Sequence, residues 1–199
     1  YAGTSAIQSI TGVGFQPDFT WIKSRTATGY SHKQHDSVRG AGYELSSQST
    51  SPEVYYSNTL TSFDSDGFSL GADTNTEVNY SSHNYAAWNW KAGGTGVSNT
   101  NGSITSTVSA NADAGFSIVS YTGTGSNATI GHGLSKAPEM VIVKGRNQIS
   151  HWMFGSDGLT SWVYSLKMDN TSAESSDATK WNSTAPTSSV FNVGTEVFT

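Results

Sequence analysis

Residues 17–25 read Pro17-Asp18-Phe19-Thr20-Trp21-Ile22-Lys23-Ser24-Arg25, and residues 138–146 read Pro138-Glu139-Met140-Val141-Ile142-Val143-Lys144-Gly145-Arg146. Position by position the order is the same: a proline, an acid, four apolar or β-branched residues, a lysine, a small residue and an arginine. Proline at the head of such a run suits the first residue of a strand, where a missing N–H costs the ladder least. The likeness extends outward in both directions. Tyr1-Ala2-Gly3-Thr4 returns as Tyr121-Thr122-Gly123-Thr124, Ile10 returns as Ile130, and Gly67-Phe68-Ser69-Leu70-Gly71 is echoed by Val190-Phe191-Asn192-Val193-Gly194. The offset drifts only from 120 to 121 to 123 positions along the chain. A nearly constant spacing over so long a stretch marks a duplicated structural unit with small loop insertions.

Inside each unit the hydrophobic period is two, the period of a strand. Ala86, Trp88 and Trp90 fall on one face against Asn89 and Lys91, and Trp162, Tyr164, Leu166 and Met168 alternate with Val163, Ser165, Lys167 and Asp169. Met140 to Val143 is apolar on both faces, which predicts a central strand. Trp21, Trp88, Trp90 and Trp162 all lie in such alternations and are assigned to the core. Turn signals are frequent: Thr11-Gly12, Asp66-Gly67, Gly93-Gly94, Asn101-Gly102, Gly123-Thr124-Gly125 and Asp157-Gly158. Short strands punctuated in this way predict an all-β fold of tandem β-sandwich, jelly-roll-like modules with little or no helix. Module one is placed at 1–91, a polar linker at 92–111 with a short strand over Ser103 to Val108, and module two at 112–199. The strand Ala114 to Ser120 leads into Tyr121 with no match ahead of Tyr1. The closing stretch Asn84 to Lys91 has no match before Thr199. Module one is therefore expected to lack its leading strand and module two its closing one.

Composition agrees with a folded β protein and excludes several functions. Only 13% of the 199 residues are charged, against roughly 25% in an ordinary soluble domain. The 6 Trp, 9 Tyr and 8 Phe supply the aromatic mass that disordered chains lack. Net charge is −5, and the 10 Lys and Arg are scattered. Without a cationic face to displace counterions, nucleic acid is not an expected partner. No apolar run approaches the roughly 20 residues of a membrane-spanning helix, so no membrane insertion is expected. Cysteine is absent, which removes disulfides and thiolate metal sites and fits an extracellular setting, where a free thiol is a liability.

Few residues have the spacing that chemistry requires. His32 and His35 sit three apart in a polar segment without a third ligand, and read as loop histidines rather than a metal site. His132 lies between two glycines where the first module has Val13 nearby, and His151 precedes Trp152 as a strand-edge residue. Asp64-Ser65-Asp66-Gly67 opens like a calcium loop, but the twelfth position from Asp64 is Asn75 rather than glutamate. Asp64 and Asp66 thus remain weak metal candidates, and a polar hairpin turn is the simpler reading. There is no Gly-x-Ser-x-Gly elbow and no phosphate loop. The 15 carboxylates are not paired in the way a glycosidase needs. No enzyme activity and no cofactor are expected. Six tryptophans suggest sugar binding by ring stacking. Trp152 and Trp181, closest to loops, are the predicted exposed platform. Lys23 with Arg25 and Lys144 with Arg146 recur at strand ends, either solvated or paired with Asp18, Glu139 or a neighbouring module.

The segments Gly14 to Arg25, Asp36 to Ala41, Leu60 to Phe68 and Ala87 to Gly94, with Gly115 to Val119 and Gly131 to Pro138 in the second unit, resemble a repeated β module in structural proteins of marine tailed phages, including cyanophages and pelagiphages. The resemblance covers nearly the whole chain and offers no catalytic residues. It implies a virion-surface, extracellular component such as a tail fibre or adhesin-like module in host attachment. Expected partners are further copies of itself in a homo-oligomer such as a trimer, other virion proteins and a host surface glycan. Two other readings stand beside it: a capsid or tail decoration protein with a purely structural role, and a carbohydrate-binding module of a cellular adhesin or hydrolase.

Overall fold

A computed structural model describes residues 1–73 and 78–196. The fold is all-β, with about 40% of residues in strands and 2% in helix. Module one holds β1 (Gln8–Thr11), β2 (Phe19–Ser24), β3 (Lys33–Asp36), β4 (Tyr43–Ser46), β5 (Val54–Tyr55), β6 (Leu60–Asp64), β7 (Gly67–Leu70) and β8 (Tyr85–Trp90). Next come β9 (Val97–Asn99), β10 (Ser106–Asn111) and β11 (Phe116–Ser120). Module two holds β12 (Ala128–Gly131), β13 (Met140–Lys144), β14 (Trp152–Ser156), β15 (Tyr164–Lys167), β16 (Ser175–Ser176), the one-turn helix α1 (Ala178–Trp181) and β17 (Val190–Val193).

The duplication is visible in the topology. In module one, β1-β7-β6 forms one sheet and β5-β4-β3-β2-β8 the other; in module two the corresponding sheets are β12-β17 and β13-β14-β15-β16. The pairing Ile10↔Phe68 recurs as Ile130↔Phe191. The turn bond from Ser37 N–H to the Asp18 carbonyl recurs as Asp157 N–H to the Glu139 carbonyl. Beside β2-β3-β4, β8 returns by a long connection to lie against β2, the order of a Greek key.

Each module closes over its own core, and alternation explains which residues enter it. In β2, Thr20, Ile22 and Ser24 point inward and are buried, while Phe19, Trp21 and Lys23 point outward. Ile22 and Tyr85 from the five-stranded sheet pack with Leu60, Phe68 and Leu70 from the opposing sheet. The second core gathers Ile130, Val141, Val143, Met153, Trp162, Trp181, Phe191 and Val193. Two glycines are required by close approach. A Cβ on Gly67 would lie 1.9 Å from the Ile10 carbonyl oxygen, and one on Gly155 would meet the Trp181 and Trp162 rings at 2.7 and 2.8 Å. Gly155 thus makes room on β14 for two indoles, whose ring centroids are 5.8 Å apart, edge to face.

Three expectations are corrected. The stretch 92–111, placed as a linker with one short strand, contains β9 and β10, both in one sheet with β11; Ser106, Val108 and Ser109 of β10 are buried, and Ile104 packs against the second core. The alternation assigned to Trp162–Asp169 starts late. A turn bond from Tyr164 N–H to the Ser161 carbonyl precedes β15, and Trp162 is held instead by its indole N–H donating to Asp157 Oδ1 at 2.6 Å. Finally, β13, expected as a central strand, is paired on one side only among the described residues, with Met140 55% and Ile142 38% exposed. Its position matches that of β2, but among the described residues no strand occupies the place that β8 takes beside β2.

The modules are tied together by polar contacts. Glu53 of module one receives Arg146 of module two through Nε at 3.2 and 3.1 Å and Nη2 at 2.8 Å, and also Arg39 Nη1 at 2.9 Å. Burial alone would raise the Glu53 pKa, but hydrogen bonds from Arg146 and Arg39 outweigh it and hold the carboxyl below its ordinary value. Backbone bonds reinforce this joint, from Glu53 N–H to the Arg146 carbonyl and from Ser150 N–H to the Thr50 carbonyl. Of the paired strand-end cations, Arg146 therefore bridges modules, whereas Lys23 donates to the Tyr30 carbonyl.

Candidate functional site: an aromatic groove on module one

The two tryptophans expected to form an exposed platform are buried. Trp152 is 7% and Trp181 1% exposed. Trp152 donates its indole N–H to the Ser46 carbonyl at 2.9 Å across the module joint. Trp181 closes the second core from α1, whose N-cap Asp177 accepts from Thr179 N–H. Trp152 begins β14 and is covered from module one at Ser46, and Trp181 packs against Gly155 and Trp162.

The exposed indoles lie where core was expected. Trp88 is 49% and Trp90 37% exposed. The β2–β8 ladder sets Trp21 opposite Trp88 and Phe19 opposite Trp90. With period two, these four rings must share a face, and that face is the outer one because Ile22, Thr20 and Tyr85 occupy the inner one. Trp21, Trp88, Trp90 and His32 line a groove of about 250 Å³.

The groove is fixed from both ends. Trp21 donates its indole N–H to His32 Nδ1 at 2.9 Å, with the rings edge to face at 5.7 Å. That bond leaves the imidazole proton on Nε2. Burial, then the charge of Lys23, lowers the His32 pKa, so the ring is neutral at neutral pH. At the other end Trp90 stacks on Phe116 of β11 at 6.2 Å and meets Phe19 edge-on at 5.4 Å. A rigid, neutral, aromatic wall with few polar groups can hold a flat apolar face; it contains no nucleophile and no acid–base pair.

The other candidate residues serve the fold. Asp64 accepts from Ser62 and Ser69 hydroxyls at 2.7 and 2.6 Å. Asp66 accepts from Gly12 and Gly14 N–H groups at 3.0 and 2.6 Å, and those two bonds lower its pKa. The pair thus pins a hairpin to the turn after β1, and Asn75 lies outside the described residues. No group of three or more His, Cys, Asp or Glu side chains able to hold a metal ion occurs among the described residues. His35 is fully buried in β3 with Nδ1 2.9 Å from the Ala41 carbonyl. His132 is buried between the Thr187 carbonyl and the Leu134 N–H. His151 pairs with Asp169 at 2.7 Å. A wider cleft of about 660 Å³ at Gly14–Asp18 and Lys91–Gly94 is floored by Asp18, whose Oδ2 accepts from Ala92 and Gly94 N–H and staples the chain after β8.

The fold and site define a class: an all-β protein with exposed indoles on one sheet face. The chain belongs to the family described as a domain of unknown function, DUF7483, which it matches over residues 1–199. No curated protein and no solved structure matches it.

The sequence carries only part of a signal for the groove residues. Lys23 shares the face of Trp21 in β2, and a lysine on a half-buried strand points to water. Only the β2–β8 register carries that phase to Trp88 and Trp90, whose own stretch gives the opposite cue through Asn89 and Lys91.

Proposed function

We propose that this protein is a non-catalytic binding module of a virion surface, tail-fibre or adhesin-like, that attaches to a surface glycan through the Trp21–Trp88–Trp90 groove. The observation that carries the reading is the exposure of Trp88 and Trp90 beside Trp21 on one pinned sheet face. Contiguous exposed aromatic surface marks a recognition site. The C–H bonds on one side of a pyranose ring are slightly positive and fit the negative face of an indole. Ring spacing is set by the ladder, so little conformational freedom is lost on binding. Single contacts of this kind are weak, and copies in a homo-oligomer such as a trimer multiply them. The phage resemblance supports the virion setting.

Titration of the protein with bacterial envelope polysaccharide, read by tryptophan fluorescence, tests the proposal. Binding lost at least tenfold in Trp88→Ala, with the fold intact, is the expected result. Equal binding by that variant removes the groove from the reading. A decoration role, in which the same aromatic patch docks on another virion protein, is favoured if no polysaccharide binds, since tryptophan-rich patches also anchor protein interfaces.

A further inference from the structure

The polar side-chain groups left open in the aromatic groove are all donors. The Trp21 indole N–H is spent on His32 Nδ1, which uses up the one acceptor of the imidazole. His32 Nε2 keeps the ring proton, has no partner among the described residues and is open to solvent. The exposed indoles of Trp88 and Trp90 add two N–H groups with no partner among the described residues, and an indole nitrogen only donates. Gln34, opposite Trp21 in β3, carries an acceptor, but it is 3% exposed and does not line the groove.

One end of the groove also carries a cation. Along the outer face the cross-strand pairs run Phe19–Trp90, Trp21–Trp88 and Lys23–Ala86, two aromatic rungs and then a lysine beside a methyl group. Lys23 gives one proton to the Tyr30 carbonyl at 2.7 Å and keeps two, with no carboxylate partner among the described residues. Asp36, which lies opposite Phe19 in β3, is 4% exposed and neutralised by Arg39 at 2.5 Å. The charge at this end of the groove is therefore that of Lys23. With a net charge of −5, the rest of the surface does not draw polyanions, so their binding needs a local cationic site.

We propose that the ligand of this groove is an anionic glycan, a pyranose chain bearing carboxylate or sulfate groups. Its rings stack on Trp21 and Trp88, one oxyanion is held by the Lys23 ammonium, and a neighbouring sugar oxygen accepts from His32 Nε2–H. This rests on the groove reading above and adds the class of sugar. Carboxylate and sulfate share the chemistry required, an oxyanion that accepts charge-assisted hydrogen bonds. The aromatic rungs supply stacking that any pyranose can use, while Lys23 supplies the discrimination.

Two matched pairs of sugars, titrated into the whole chain and read by tryptophan fluorescence, test this: polygalacturonate against its methyl ester, and carrageenan oligosaccharides against unsulfated agarose oligosaccharides. The first pair reads carboxylate and the second sulfate. At about 50 mM salt at least one anionic member is expected to bind about tenfold or more tighter than its neutral partner, and at about 0.5 M salt, where charges are screened within a few ångströms, the ratio is expected to fall to about threefold or less. Lys23→Met is expected to weaken the anionic sugar about fivefold or more, and Lys23→Arg to retain it. Equal binding within both pairs overturns the anionic class and leaves the groove reading standing. Anionic binding that is lost in Lys23→Met but survives in Trp88→Ala also overturns the proposal, since the oxyanion would then be held apart from the rings. Binding of none of the four sugars overturns it together with the glycan reading beneath it.

Discussion

Module one and module two share a strand plan but use their large aromatics in opposite ways. In module one Trp88 and Trp90 stand on the outer sheet face, and the core is filled by Ile22, Leu60, Phe68 and Leu70. In module two Trp162 and Trp181 fill the core, and Met140 and Ile142, in the places of Phe19 and Trp21, stand on the outer face. Duplication thus preserved the ladder and its turns while the sites of aromatic burial diverged. Where an indole sits depends on what the opposing sheet leaves room for, as Gly155 shows in module two.

The comparison can be broken most sharply at the buried indole. Trp181→Ala should cost about 4 kcal/mol of stability, the usual loss for a large aromatic removed from a core. Urea denaturation followed by circular dichroism measures it, and a loss below about 1 kcal/mol would mean that α1 does not close the second core.

Next in size is the joint. Glu53→Leu should cost about 2 kcal/mol, because buried Arg39, which keeps Asp36, and Arg146 both lose a charged hydrogen-bond partner. The variant should also separate the unfolding of the two modules into two transitions in calorimetry. A single transition with unchanged midpoint would show that Glu53 is not what couples them.

Acid should act mainly on module one. Glu53 has a folded pKa below its ordinary 4.5, so its stabilisation is present above that value and is lost as pH falls through the folded one. His35 is pushed by burial, and then by the charge of Arg39, from 6.5 down to about 3. Between those two values the unfolded chain takes up a proton that the folded chain refuses, so stability declines steadily as pH drops from 6.5. Denaturation midpoints from pH 7 to pH 4 should fall, and His35→Gln should flatten the upper part of that decline. An unchanged slope in His35→Gln would show that His35 does not set it.

The smallest expected stability effect is at the groove. Trp88→Ala should change stability by no more than about 0.5 kcal/mol, as for an ordinary surface substitution. A larger loss in the same urea assay would show that the outer rings support the sheet, and would erase the contrast with Trp181.

The sequence by itself determined the duplicated unit, the all-β class and most strand positions. Those depend on local chemistry: period-two alternation, β-branched and aromatic residues, and Gly-containing turns such as Asp66-Gly67. It also placed Trp88 and Trp90 on a common face, because a strand allows nothing else. Only the tertiary structure decided which face is the inside. A two-residue period is the same for a strand seen from either side, and the choice rests on partners distant in the chain: Phe68 and Leu70 against Ile22, and Phe116 against Trp90. For the same reason Trp152 and Trp181, flanked by loops in the sequence, are covered once Ser46 and Gly155 are brought to them.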